Sequence, residues 1–412
     1  MINSPLNRLS LRFCTFALLV SALCCSEARI RSKQNIFFRG EGKKKEKKNK
    51  SGEYIIVFKE VNSDGGIGLM STEDVDSRVD DLGKKYLMKK KEVYSNVLYG
   101  FTATNVTKKD VLDLQKEEDV MLVERNRIIK LDPTNAQQVD VTIQAQGKLC
   151  DKQTVPENIR TVGWRNVENI RSYQNKNVFV IDTGLGKKLT QEFNINTSLA
   201  KSFVSKNKPQ DWNDCHGHGT HVAGIIGAKD NNCGVVGIAA GISIVPLKVV
   251  GCMGQASLNK IIRALAYVYE VGKRGDVVNM SLGGEMAEQA MDLAVKKVAQ
   301  KGIQFAIAAG NDNKNSIFYS PARVTANGVY TVCALSKSGR FASFSNFGQP
   351  PIDVCAPGQD IYSLAPNGIL WKRTGTSMAA PHVAGLLALG NLKTGSTVRS
   401  PNDGKNYHKV RI

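Results

Sequence analysis

Val178-Phe179-Val180-Ile181-Asp182-Thr183-Gly184 sets a short, apolar, β-branched-rich run directly before a carboxylate, a hydroxyl and a glycine. Such a run reads as a buried strand, and Asp182 stands at its C-terminal edge, where open α/β sheets place their sites. Taken alone, Asp182 is equally a loop or capping aspartate. Two further segments bear on the choice. His216-Gly217-His218-Gly219-Thr220-His221-Val222-Ala223-Gly224 runs into Ile225 and Ile226, so a histidine among glycines opens an apolar helix. Gly375-Thr376-Ser377-Met378-Ala379-Ala380-Pro381-His382-Val383-Ala384-Gly385 puts one hydroxyl among small residues where another apolar helical pattern begins. A serine there faces unpaired backbone N–H groups and the positive end of the helix dipole, which favour an oxyanion beside it. Pro381 is a poor choice for an ordinary helix, because it removes a donor and clashes one turn back. The plain alternative for Ser377 is an N-cap on a buried helix.

The order Asp182, His218, Ser377 is that of one known class of Ser-His-Asp hydrolase. Together the three segments resemble the catalytic signatures of the subtilisin family of serine proteases, the proteinase K branch in particular. The resemblance implies a three-layer α/β fold with a mostly parallel central sheet, preceded by a small α+β propeptide domain. It implies that Ser377 attacks the scissile carbonyl, that His218 moves the proton, and that Asp182 fixes the imidazole and stabilises its charged form. Asn311, in Ala308-Ala309-Gly310-Asn311, matches the family's oxyanion-hole asparagine, with the Ser377 N–H as its partner donor. His221 and His382 match positions without a catalytic role. Val277 to Gly284, with Ser281, Leu282 and Gly283, resembles the strand that pairs with an extended peptide, and Gly254 falls where the opposite strand is supplied. Tyr319-Ser320-Pro321-Ala322 resembles an apolar wall of the specificity pocket. Asp312 would instead favour a basic residue there, and an apolar, broad preference is the expectation.

The chain has 412 residues, is 42% hydrophobic and carries a net charge of +19. Arg8 and Arg12 precede an apolar stretch from Phe13 to Cys25, with Ser26 and Ala28 soon after, so residues 1–28 read as a secretory signal too short to span a bilayer. Residues 29–52 read as a basic linker around Lys43-Lys44-Lys45-Glu46-Lys47-Lys48. Much of the positive charge sits there, so the basic balance does not imply nucleic-acid binding. Residues 53–131 read as a separate domain: a strand at 54–59, a polar helix-compatible stretch from 71 to 91, a strand at 97–103, a helix at 107–118 and a strand at 120–124. This order resembles the inhibitor-type propeptide of subtilisins. A linker at 132–150 would contain or adjoin the maturation cut, and 151–412 would be the catalytic domain. After Gly390 the chain shows little apolar content, and the family's later helices and final strand have no clear counterpart.

Of nine cysteines, Cys14, Cys24 and Cys25 fall in the signal, leaving six in a secreted product. The resemblance suggests pairs Cys215–Cys252, Cys150–Cys233 and Cys333–Cys355. It also suggests a structural calcium site from Gln153, Asn231 and the carbonyls of Lys229, Cys233 and Val235, although Gln191 replaces an acidic ligand and Glu192 lies beside it. No cofactor is expected for catalysis. Of the sequons at Asn105, Asn196 and Asn279, Asn196 is the glycan candidate and Asn279 should stay bare. The expected product is a secreted monomer acting on proteins or peptides, inhibited by its own propeptide, with no membrane span and no nucleic-acid partner. Two other classes compete: a non-catalytic binder keeping the peptide groove, and a metallohydrolase using His216, His218, His221, Asp214 and Cys215.

Overall fold

The computed structural model describes residues 51–60, 70–131, 137–138, 153–162, 175–205 and 207–411. The expected signal, most of the basic linker and Cys150 lie outside them.

The first described unit is a four-stranded antiparallel sheet with two helices. Its elements are β1 (Gly52–Phe58), α1 (Thr72–Lys85), β2 (Lys89–Ser95), β3 (Tyr99–Val106), α2 (Lys108–Leu114) and β4 (Val120–Arg125), in the spatial order β2-β3-β1-β4. Both helices start with a reciprocal capping box, Ser71 with Asp74 and Thr107 with Asp110, which satisfies two orphan donors at each start. The polar stretch read as helical to Lys91 divides in two. Leu87 takes a left-handed backbone, φ 52°, and Lys89 opens β2. Propensity alone could not show that break, because lysines serve an exposed strand as well as a helix. Val75, Val79 and Leu82 of α1 pack on Ile56, Phe58 and Phe101 of the sheet.

Two short strands follow, β5 (Ile128–Lys130) and β6 (Gln137–Gln138), then helix α3 (Glu157–Thr161). The large unit is built on β7 (Asn177–Asp182), β8 (Asn194–Ile195), β9 (Lys201–Ser202), β10 (Ser243–Lys248), β11 (Gln255–Ser257), β12 (Val277–Met280), β13 (Gln304–Ala308), β14 (Val329–Leu335), β15 (Ile352–Pro357), β16 (Ile361–Leu364), β17 (Leu370–Arg373), β18 (Lys393–Arg399) and β19 (Asn406–Arg411). The central sheet has the order β18-β19-β15-β14-β13-β12-β7-β10-β8, with β9 also on β10. Every described pairing in it is parallel except β18–β19. Helices α4 (His218–Gly227) and α7 (Thr376–Ala388) cover one face; α5 (Leu258–Val271) and α6 (Gln289–Gln300) cover the other. Parallel strands buried on both faces need continuous apolar runs, and β7, β10 and β13 supply them. The layering is the three-layer α/β fold expected.

β7 pairs with β12 on one side and β10 on the other, so strand order reverses there and a crevice opens beyond its C-terminal end. Asp182 is the last residue of that strand.

The expectation of no strand after Gly390 needs correction, while no helix follows that residue among the described residues. The chain there forms the β18–β19 hairpin, which joins the central sheet by pairing Val354 with His408. Tyr407 is fully buried against Phe341, Cys333 and Cys355. Two or three anchoring side chains suffice on an edge hairpin, so its apolar content is low. Cys215–Cys252 and Cys333–Cys355 are disulfide-bonded. Among the described residues no helix is long and apolar enough to cross a membrane.

Candidate active site

Asp182 and His218 are fully buried. The His218 Nδ1 lies 2.8 Å from Asp182 Oδ1 and 2.9 Å from Oδ2, which fixes the ring plane and leaves Nε2 as the ring's other nitrogen. That Nε2 is buried without a hydrogen-bond partner. His218 is held at its height by the first turn of α4. Asp214 accepts the N–H groups of His216 (2.9 Å), Gly217 (2.8 Å) and Thr220 (2.9 Å), and the Thr220 hydroxyl (2.6 Å). Burial works against ionisation of Asp214, but the bonds from Thr220, Gly217 and His216 outweigh it and hold the carboxyl below its usual range. Asp214 therefore anchors the turn that carries His218. The sequence had suggested it only as a metal ligand; the capping signature four residues before His218 was the signal for this role.

Ser377 opens α7, 8% exposed. Pro381 now has a local reason. Its missing N–H leaves the Ser377 carbonyl without its helical donor, and the Ser281 hydroxyl takes that place at 2.8 Å. In return Ser377 Oγ donates to the Ser281 carbonyl at 3.2 Å. The proline thus ties the start of α7 to the segment just after β12. Ser377 and His218 are not hydrogen-bonded in this arrangement, a looseness common before substrate is present.

Asn311 Oδ1 accepts Thr376 N–H at 2.7 Å and the Thr376 hydroxyl at 2.9 Å. Its oxygen is committed, so its Nδ2 is the donor side. Gly375 lies beside it with φ 155°, and a Cβ there would stand 3.5 Å from Asn311 Nδ2 and 3.7 Å from Ser377 N. That space between two N–H donors is kept clear by the glycine.

Ser281, Leu282 and Gly283 form one wall of a cleft that also reaches Asn311, Tyr319 and Ser377. Gly283 is needed for a close approach: a Cβ would come 2.8 Å from Ser320 O. Tyr319 is buried and Asp312 sits at the exposed rim. The opposite side of the cleft is occupied. β5 pairs antiparallel with β11, matching Lys130 with Gln255 and Ile128 with Ser257, and Leu131 N–H donates to Gly254 O at 2.8 Å. Gly254 thus receives an extended chain, and that chain is the end of the first unit. β6 pairs with Trp371 and Lys372 of β17. Chain from the first unit and the segment after it thus adds as a strand at two places on the large unit, at β11 and at β17.

The remaining expected positions sort as follows. His221 Nε2 meets Trp371 O at 3.0 Å, and His382 meets Asn158 Nδ2 and Met378 O, each at 2.8 Å. Both rings are fully buried and burial keeps them neutral. With His221 so engaged, Asp214 capping a helix and Cys215 in a disulfide, the metallohydrolase ligand set is taken up by other bonds and that reading falls. Asn279 is fully buried, and its Nδ2 donates to Ser281 Oγ. The Asn196 amide donates to Asn177 Oδ1 at 3.2 Å.

Gln153, Lys229, Asn231, Cys233 and Val235 gather at one loop. Gln153 Nε2 donates to Lys229 O at 2.9 Å, Cys233 N donates to Asn231 Oδ1 at 3.1 Å, and Thr154 bridges to Val235. Two of the expected oxygens thus already accept N–H groups. Glu192 is buried beside the loop with Oε2 lacking a partner, and burial pushes its carboxyl up. Among the described residues no cluster of three His, Cys, Asp or Glu side chains forms.

The model of the subtilase family, peptidase S8, matches residues 174–399. Alkaline serine exoprotease A of Vibrio alginolyticus is 33% identical over 337 residues, which cover 82% of this chain and 60% of that protein. An extracellular serine proteinase of a Thermus species is 40% identical over 213 residues, 51% of this chain and 49% of that protein. The thermostable alkaline protease of Halalkalibacterium halodurans is 33% identical over 285 residues, 69% of this chain and 70% of that protein. A solved structure of a cold adapted subtilisin-like serine proteinase superposes with a TM-score of 0.50 at 32% identity, covering 57% of this chain and 88% of that one. The chain spans between about half and 70% of the length of these curated relatives.

Proposed function

The chain belongs to the subtilase family, and from that premise we propose that it is a secreted serine endopeptidase made as a zymogen. The observation that carries the reading is one cleft that holds Asn311, Ser377 and the Ser281–Gly283 wall together with the substrate-like chain at Lys130 and Leu131, in a unit that also carries the buried Asp182–His218 pair.

In this mechanism Ser377 Oγ leaves its resting bond to Ser281 O and attacks the scissile carbonyl. His218 Nε2 takes the proton as the new C–O bond forms, and Asp182 holds Nδ1–H and stabilises the imidazolium. Negative charge develops on the carbonyl oxygen in the space that Gly375 leaves open, where Asn311 Nδ2 and Ser377 N–H meet it. His218 then passes the proton to the leaving amine, and an acyl-enzyme remains on Ser377. Water, deprotonated by the same Nε2, attacks that ester and regenerates the hydroxyl. Substrate backbone pairs with Ser281–Gly283 and with the Gly254 strand. The wall of Leu282, Ala308 and Tyr319 favours an apolar residue before the cut.

Residues 53–131 act as the inhibitor, because their last strand fills the place of substrate. A self-cut falls between Leu131, which lies in the Ser377 cleft, and Gln137, which pairs with β17. A structural calcium ion at Gln153, Lys229, Asn231, Cys233 and Val235, with Glu192 as its charged neighbour, would add stability and no chemistry. Loss of thermal stability on chelation, with no such loss in Glu192→Gln, tests it; an unchanged wild-type midpoint would remove it.

A serine-directed fluorophosphonate tests the catalytic reading. The processed chain should be labelled once at Ser377, with no label on Ser377→Ala. A folded, processed chain that resists the reagent would make this a peptide-binding relative instead.

A further inference from the structure

The first unit brings a half-buried carboxylate to two buried ones at the start of α6. Glu124, from β4, accepts the N–H groups of Gln289 (2.8 Å) and Ala290 (3.0 Å). These are orphan donors at a helix N-terminus, which favours an anion. The two other acids belong to the large unit. Glu288 is 3% exposed and Asp292 is 8% exposed. The Glu124 carboxyl lies within hydrogen-bonding reach of that of Glu288.

Positive charge around the three is sparse. Arg127 NH1 lies 3.6 Å from Glu288 Oε1, on an arginine side chain that is 41% exposed. Arg323 Nε lies 3.3 Å from Asp292 Oδ2, and the Ser320 hydroxyl donates to that same oxygen at 3.0 Å. Lys296 acts on Asp292 only through its more distant charge. Glu288 Oε2 and Asp292 Oδ1 remain buried without any donor.

Two carboxylates in hydrogen-bonding reach inside an interface do not both stay ionised; a proton between them removes the repulsion and satisfies the orphaned oxygen. That proton has its place only while the units are docked, because Glu124 comes from one and Glu288 from the other. Burial, the largest cause in each case, pushes Glu124 up to about 7 and Asp292 up to about 6, and raises Glu288 as well.

We propose that Glu124, Glu288 and Asp292 form a proton-dependent latch that keeps the inhibitory unit over the active site and lets it go as the cluster loses its proton. The latch rests on the reading of residues 53–131 as the inhibitor. Its sign follows from linkage. The docked state holds more protons than the separated parts between the ordinary carboxylate range and about 7. Docking is therefore fully supported at the acid end of that window and weakens as pH rises through it. One linked proton changes the dissociation constant by up to about tenfold per pH unit. The cut enzyme would stay covered in a mildly acidic compartment and be freed at neutral or alkaline pH.

The test compares fluorophosphonate labelling of Ser377 in the full secreted chain, wild type against Glu288→Gln, between about pH 5 and 8. A glutamine amide replaces the shared proton with a permanent donor to Glu124, so the variant should stay covered across the range. The ratio of the two rates cancels every pH dependence of the labelling chemistry that both chains share. The latch predicts a ratio that climbs about tenfold or more across the window. Slow labelling of both with a flat ratio would overturn the latch while leaving the inhibitor in place. Immediate labelling of both at every pH would overturn the inhibitor reading, and the latch with it. Should Glu288→Gln not fold, amide exchange at Gln289 and Ala290 in the Ser377→Ala chain replaces it. After correction for base catalysis, protection should fall as pH rises past 7; constant protection would contradict the latch.

Discussion

Asn311 and Gly375 divide one task between them. The asparagine presents a donor because Thr376 holds its oxygen, and the glycine leaves the donor something to face. Replacing Asn311 by Leu should therefore lower kcat by about 10²–10³ with a smaller change in KM, because the lost bond forms mainly in the transition state. Steady-state kinetics on a peptide substrate measures this. His382 makes a different prediction. Its ring is fully buried, and burial lowers its pKa from 6.5 to about 4. Between those values the unfolded chain binds a proton that the folded chain refuses, so stability falls as pH falls, by about 1.4 kcal/mol per pH unit. Thermal midpoints of wild type should drop from pH 6.5 toward 4 more steeply than those of His382→Gln. The two profiles running parallel would contradict this.

Among the elements, those around the site were the most legible. β7 and α7 could be read from Val178–Gly184 and Gly375–Gly385 because a buried strand and a buried helix each need a long apolar pattern. β2 and the β18–β19 hairpin could not be read so. Both lie at sheet edges and are largely exposed, so neither needs a continuous apolar run. The hairpin makes a firm prediction through Tyr407, fully buried, with its hydroxyl donating to Asp403 and accepting the Gly348 N–H. Tyr407→Ala should cost about 3–5 kcal/mol, as other large-to-small core changes do. Chemical denaturation measures it, and a cost below about 1 kcal/mol would mean that the hairpin adds nothing to the sheet. The Pro381 anomaly was visible in sequence, but its reason was not. Only the packing of β12 beside α7 shows that Ser281 supplies the missing donor.

At the scale of the molecule, the first unit is tied to the large one by four kinds of contact. Its last strand adds to β11, Glu124 and Asn126 meet the starts of α6 and α5, Val97 and Leu98 join the core under α5, and Lys297 pairs with Glu60. The strands of residues 53–131 were legible from their apolar pattern, but nothing in the sequence marked Glu124 or Glu288, because a surface acid and an interface acid look alike before docking. In the proposed zymogen the three carboxylates would govern when the unit leaves, and β5 and β6 where the chain is cut. The most direct test of the central claim is intact mass with N-terminal sequencing of wild type and Ser377→Ala from a secretory host. The account predicts that wild type loses everything up to a residue between 132 and 137 while Ser377→Ala keeps residues 53–131. Identical cutting of both chains, or none in either although both are folded and secreted, would contradict a self-maturing serine protease.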